Sequence, residues 1–132
     1  MMQHQETTRI GSIDAAHPMN MVVLMYDGSI NYIRKAIECA GRNDRSGMEA
    51  FTGRARDVIY GLSSALDRDA GGEMAKNLET YYTVMDRILV KATEDMNVSS
   101  LRKVLEMLSG VKESWEHVRD TFQLGSDLRK TH

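Results

Sequence analysis

Reactive side chains are few in this chain, and their spacing limits what they can do. The histidines are His4, His17, His117 and His132. A dimetal centre in a helical bundle takes carboxylates plus paired Glu-x-x-His motifs on facing helices, and none of the four histidines follows a glutamate at that spacing. Phosphotransfer in a helical protein needs an exposed histidine in mid-bundle, and only His117, near the end of a helical pattern, comes close. Cys39 has no histidine near it in sequence, and a lone cysteine late in a helix usually packs as a small apolar side chain. Gly71 and Gly72 open a helix whose free amides would suit an anion, but no Gly-Lys-Ser or Gly-Lys-Thr follows to make a phosphate loop. The reading is therefore a protein with no catalytic residue, no metal ligand and no cofactor.

The elements that would have to position any site are helices. The chain has 132 residues, a one-domain length, and its 42% apolar and 27% charged composition argues for a folded globular protein rather than a disordered one. A net charge of −2, with arginines dispersed among acids, leaves no basic stripe for nucleic acid. One cysteine allows no internal disulfide, no secretory signal is evident, and the longest apolar run, Met21 to Tyr26, is far short of the roughly 20 residues that span a bilayer. A cytoplasmic protein without membrane insertion is expected.

Pro18, the only proline, stands where a first helix begins. Apolar residues then recur at helical spacing through Met19, Val22, Tyr26, Ile30, Ile33 and Ile37 until Gly41 to Asp44 break the pattern. Met48, Phe51, Ala55, Val58, Leu62 and Leu66 predict a second helix. Met74, Leu78, Tyr81, Met85, Ile88 and Ala92 predict a third, with Asp69 as its N-cap and Met74 and Met85 as core filling. Asn97 or Ser99 caps a fourth, carrying Leu101, Val104 or Leu105, Leu108, Val111, Trp115 and Val118. Short connections place successive helices side by side, so the expected fold is all-α, an antiparallel up-and-down four-helix bundle. Its parts are a leader over residues 1–16, the bundle over 18–118, and a short fifth helix or frayed tail over 119–132.

The first helix has more apolar surface than one face can hold. Met21 to Tyr26 are six consecutive apolar residues and go all the way round a helix, and Met21, Met25, Gly28 and Tyr32 form a second stripe opposite the first. Glycine inside a helix costs about 1 kcal/mol relative to alanine, so Gly28 suggests close approach of another backbone. Either the bundle sandwiches this helix, or the second stripe is a groove for an external segment. Ten methionines suit an adaptable groove, although methionine at helical spacing more often fills a core. Tyr81 and Tyr82 point about 100° apart, so only one of them can sit at the centre of the core face while the other lines a rim.

Several stretches resemble the flagellar secretion chaperone family FliS. Met25-Tyr26-Asp27-Gly28-Ser29-Ile30 is similar to its signature in the first helix. Leu66-Asp67, then Gly71-Gly72-Glu73-Met74-Ala75-Lys76-Asn77-Leu78 and Tyr81, resemble the paired glycines entering its third helix. Val104 to Leu108 and Lys112 to Trp115 are similar as well, so the likeness spans about Pro18 to Val118. It implies a helical bundle that binds the disordered C-terminal segment of flagellin in the cytoplasm, blocks premature polymerisation and brings it to a component of the flagellar type III export gate. The alternative is a helical adaptor or regulator binding another amphipathic helix. The expected partner-binding residues are Met21, Met25, Gly28 and Tyr32 of the first helix and Leu78, Tyr81 and Tyr82 of the third. Spare apolar faces would also let the free protein form a homodimer.

Two features depart from the family pattern. His17 stands before the proline where the family has serine, leaving Asp14 or Asn20 to cap the helix, and no tyrosine precedes Tyr26. In the leader, Ile10 and Ile13 are the isolated branched apolar residues, and they give it the means to occupy the groove until a partner arrives.

Overall fold

The computed structural model describes residues 18–66 and 68–130, which form four helices: α1 (Pro18–Gly41), α2 (Arg45–Ser64), α3 (Arg68–Asp95) and α4 (Val98–Lys130). No strand occurs among the described residues. α1 packs against α2 and α4, α3 packs more sparsely against the same two, and α1 and α3 lie diagonally across an up-and-down bundle. The leader, with Ile10, Ile13 and Asp14, lies outside the described residues.

Local chemistry sets the connections. Asp44 caps α2 by accepting a hydrogen bond from the Gly47 amide at 2.9 Å, and Gly47 must be small because a Cβ there would run into that carboxylate and Cys39 Sγ. Asn97, rather than Ser99, caps α4 through the Ser100 amide at 3.1 Å. The two tight turns place Asn43 and Met96 in the left-handed region, with φ of 61° and 50°. The Asn97 amide closes the second turn on the Ala92 carbonyl at 2.9 Å.

The paired glycines explain how α3 begins. Gly72 has φ 54° and ψ −130°, non-helical values that split a first turn from the long body of the helix. Asp69 lies inside that first turn, not at the cap position expected of it. Only glycine occupies this backbone region without strain, so Gly72→Ala is expected to cost about 1–3 kcal/mol, read as a lower urea midpoint with unchanged slope. A Gly110→Ala control, at a helical residue without positive φ where a Cβ would meet nothing within 4 Å, separates strain from simple loss of a glycine.

The core holds Tyr26, Ile30, Ile33, Ala36 and Cys39 from α1, Met48, Ala55, Ile59 and Leu62 from α2, Tyr82, Met85, Leu89 and Ala92 from α3, and Leu101, Val104 and Leu108 from α4. Relative to expectation, the inner faces of α2 and α3 are turned by about one residue. Ile59 is buried and Val58 half-buried, while Ala75, Tyr82 and Leu89 are buried and Leu78, Tyr81 and Ile88 are half-buried. Met74, expected as core filling, is 66% exposed. Asn20 is no cap, because it lies within α1 and is buried, and its amide nitrogen has no hydrogen-bond partner among the described residues. α4 continues unbroken to Lys130, so the short fifth helix expected beyond Val118 is simply the end of the fourth.

Candidate functional site

Alternating direction brings the starts of α1 and α3 to the same end of the bundle as the end of α2, and there the core is not closed. A cleft of about 340 Å³ opens between Val22 and Met25 of α1, Leu62, Ala65 and Leu66 at the end of α2, and Trp115 of α4. Its fourth wall is the beginning of α3, with Gly71, Met74, Ala75, Leu78 and Tyr82. The lining is almost wholly apolar, which suits hydrophobic side chains and offers nothing for catalysis.

Of the seven residues expected to bind a partner, Met25, Leu78 and Tyr82 meet in this cleft. The other four do not. Met21 is 52% exposed on the outer face of α1. Gly28 faces open space, with nothing within 4 Å of where a Cβ would stand, so no other helix among the described residues approaches it closely. Tyr32 stacks on Phe51 of α2, with ring centroids 6.4 Å apart, under the guanidinium of Arg54. Tyr81 is half-buried against the core outside the cleft. Of the second stripe of α1, α2 thus covers Tyr32 and part of Met25, while Met21 and Gly28 stay open. Met25 itself abuts α2, since a Cβ at Gly61 would stand 3.3 Å from its Cε.

At the cleft floor a polar link crosses the bundle diagonal. The hydroxyls of Tyr26 and Tyr82 share a buried hydrogen bond, and the rings lie 6.4 Å apart at 42°. Burial pushes the Tyr26 phenol far above its ordinary range, the Tyr82 contact adds to this, and the Trp115 indole partly offsets it. Burial likewise raises Tyr82, with the bond from Tyr26 opposing. Both phenols stay neutral at any physiological pH.

Beside this cleft a second, polar one separates α2 from α3. Arg56 spans it, donating from Nε to Asp86 Oδ1 at 2.7 Å and from a terminal nitrogen to Oδ2 at 3.3 Å. The salt bridge raises the Arg56 pKa further. On either side of that pair lie openings of about 690 and 530 Å³. Of the histidines only His117 lies among the described residues, where it is exposed. No group of three or more His, Cys, Asp or Glu among them could hold a metal ion. No helix of the described residues is long and apolar enough to cross a membrane.

The sequence model of the family described as Flagellar protein FliS matches residues 1–121. The chain belongs to the FliS family. Among curated relatives, the flagellar secretion chaperone FliSB of Pseudomonas aeruginosa is 30% identical over 118 residues, covering 89% of this chain and 94% of that protein. The flagellar secretion chaperone FliS of Salmonella typhimurium is 26% identical over 108 residues, 81% and 80% of the two chains, and that of Bacillus subtilis is 23% identical over 105 residues, 80% and 77%. FliS is a family of chaperones, not of enzymes.

The residues through which the sequence resembles FliS have identifiable structural work in this chain. Tyr26 supplies half of the diagonal hydrogen bond. Asp27, half-exposed, pairs with Lys112 and ties α1 to α4, so it is an interhelical ion pair rather than a buried hydrogen-bond partner. Gly72 makes the break in α3. Of the cleft residues that sequence reasoning missed, Leu66 and Met74 sit beside the end of α2 and near the start of α3, while Trp115 lies midway along α4, which runs on past the cleft. Their common signal is topological, because these positions converge only once the chain is laid out up and down.

Proposed function

We propose that this FliS-family chain is an export chaperone that binds the disordered C-terminal segment of flagellin in the cytoplasm, keeps it from polymerising prematurely and delivers it to the flagellar type III export gate. The observation that carries this reading is the apolar end cleft, to which all four helices contribute and which nothing in the described residues fills. An amphipathic segment that is unstructured alone can fold as helix with anchoring side chains laid into such a cleft, its apolar positions recurring every three or four residues. Covering those positions is sufficient, because surface that would pair with other flagellin subunits then stays buried until secretion, and no bond has to be made or broken.

Titration of the purified chain with a peptide covering the C-terminal segment of the same organism's flagellin tests this by calorimetry, with circular dichroism in parallel. A saturable one-to-one complex with added helicity and a negative heat-capacity change is the expected result. Absence of heat at tens of micromolar would reject flagellin as the partner and leave the adaptor reading, in which a different amphipathic helix fills the cleft.

A further inference from the structure

The wall that α3 gives to the end cleft is built differently from the rest of that helix. Of residues 73–81 only Ala75 is buried, whereas Tyr82, Met85, Leu89 and Ala92 beyond them all reach the core. Along this first stretch α3 faces α2 across two openings: the end cleft, lined by Met74, Ala75 and Leu78, and the larger α2–α3 opening, which begins at Tyr82 and Thr83. Tyr82, 2% exposed, stands between the two as a partition. Local stability follows the density of buried apolar contacts, so residues 73–81 are weakly anchored by their own side chains.

Both boundaries of the stretch are marked. Gly72, with φ 54° and ψ −130°, breaks the helical geometry immediately before it, so no rigid preceding turn holds its start. Firm anchoring begins at the other end. The Tyr82 hydroxyl is hydrogen-bonded to Tyr26 in the core, Asp86 takes the fork of Arg56 one turn later, and the Thr93 carbonyl accepts from Arg45 at 3.3 Å. Those ties hold the second part of α3 to α1 and α2 whatever the first part does.

We propose that residues 73–81 are a movable wall of the end cleft, undocking from the bundle as a unit between the Gly72 joint and the Tyr82 anchor while the rest of the fold stays intact. With the wall away, Val22, Met25, Leu62, Leu66 and Trp115 remain as an open apolar floor. An incoming chain then meets a site wider than the closed cleft, and redocking narrows the site on its occupant, whichever amphipathic segment that is. A helical stretch this short does not keep its hydrogen bonds in water once detached, so undocking exposes its amides.

Hydrogen exchange of the full chain without any partner, followed amide by amide by NMR, tests this. In helical geometry the amides of residues 77–81 bond to carbonyls of residues 73–77, so they report on the stretch alone. They are expected to exchange at least about tenfold faster than those of residues 29–37, around buried Ile33 in α1. Two exposed substitutions locate the opening. Thr80→Ala, which raises helix propensity inside the stretch, is expected to slow the 77–81 amides about threefold. Asp86→Asn, which weakens an anchor outside it, is expected to speed the 29–37 amides about two- to fivefold and leave 77–81 unchanged, because the anchor is intact when only the wall opens. Equal wild-type rates for the two groups of amides overturn the proposal, since the stretch would then open only with the whole fold. So does acceleration of both groups by the same factor in Asp86→Asn, or unchanged 77–81 exchange in Thr80→Ala.

Discussion

Leu78→Glu is expected to weaken binding of the flagellin peptide about a hundredfold while the melting temperature stays within a few degrees of wild type. Leu78 lines the end cleft and is only half-buried in the free protein, so a glutamate there can turn its carboxylate to water until a partner arrives. Binding then forces that carboxylate into an apolar contact with no cation to meet it. The desolvation cost of an unpaired charge is several kcal/mol, of which about 3 kcal/mol surviving as lost affinity gives the stated factor. Met74→Glu offers a second reading free of folding effects, since Met74 is 66% exposed and lines the same cleft, and a smaller loss in the same direction is expected. Met25 is a poorer target because its Cε packs close to Gly61, so a charge there would strain the α1–α2 contact as well as the site. Wild-type affinity in both variants, with circular dichroism unchanged, would remove the end cleft from the binding surface.

The second large effect is on stability and concerns the tyrosine pair. Tyr26 is fully buried and Tyr82 nearly so, and each hydroxyl is the other's hydrogen-bond partner. Tyr26→Phe leaves the Tyr82 hydroxyl in the core without its partner, which should cost about 1–3 kcal/mol. Tyr26→Ala adds a cavity the size of an aromatic ring and should cost about 3–5 kcal/mol, a large part of the stability of a domain this size. Replacing both by phenylalanine removes the orphaned group as well as the bond, so the double variant should recover much of the single loss, with a coupling energy of about 1–2 kcal/mol in urea melts. Strictly additive losses would mean that the hydroxyls act independently. The pair also sets a pH limit. An unfolded tyrosine ionises near pH 10, while both phenols are held above that in the fold, so their contribution is complete below about pH 10 and declines as pH rises past it. The double phenylalanine variant should show a shallower alkaline decline.

The helices themselves could be read from the sequence because their signals are local. Pro18, the polar break ending at Asp44, and Asn97 mark boundaries through the chemistry of one or two residues, and the spacing between them carries the 3.6-residue period. The exact face that each helix buries was less accessible. Period alone does not distinguish Val58 from Ile59 or Ile88 from Leu89, since adjacent residues lie about 100° apart and the choice between them is made by what packs opposite. Tyr81 and Tyr82 show this well, because either fits the pattern and only the diagonal partner Tyr26 selects the second. The site was less legible still. Sequence reasoning followed a stripe along one helix, through Met21, Met25, Gly28 and Tyr32, whereas the cleft is shared by all four helices, and which residues of different helices converge is a property of topology. Asp27 and Gly72 carried meaning as family motif residues, but the ion pair with Lys112 and the backbone break required three-dimensional neighbours and torsions to be seen.

The sparser packing of α3 divides responsibility within the molecule. α1 is held densely on two sides and ties to α4 through Asp27 and Lys112, while α3, which supplies the largest share of the end cleft, rests more lightly on its neighbours. Substitutions that would ruin a protein if they fell in α1 are therefore cheaper along the outer wall of α3. As the partner's sequence drifts over generations, the cleft can be revised to follow it, one side chain at a time, without renegotiating the fold.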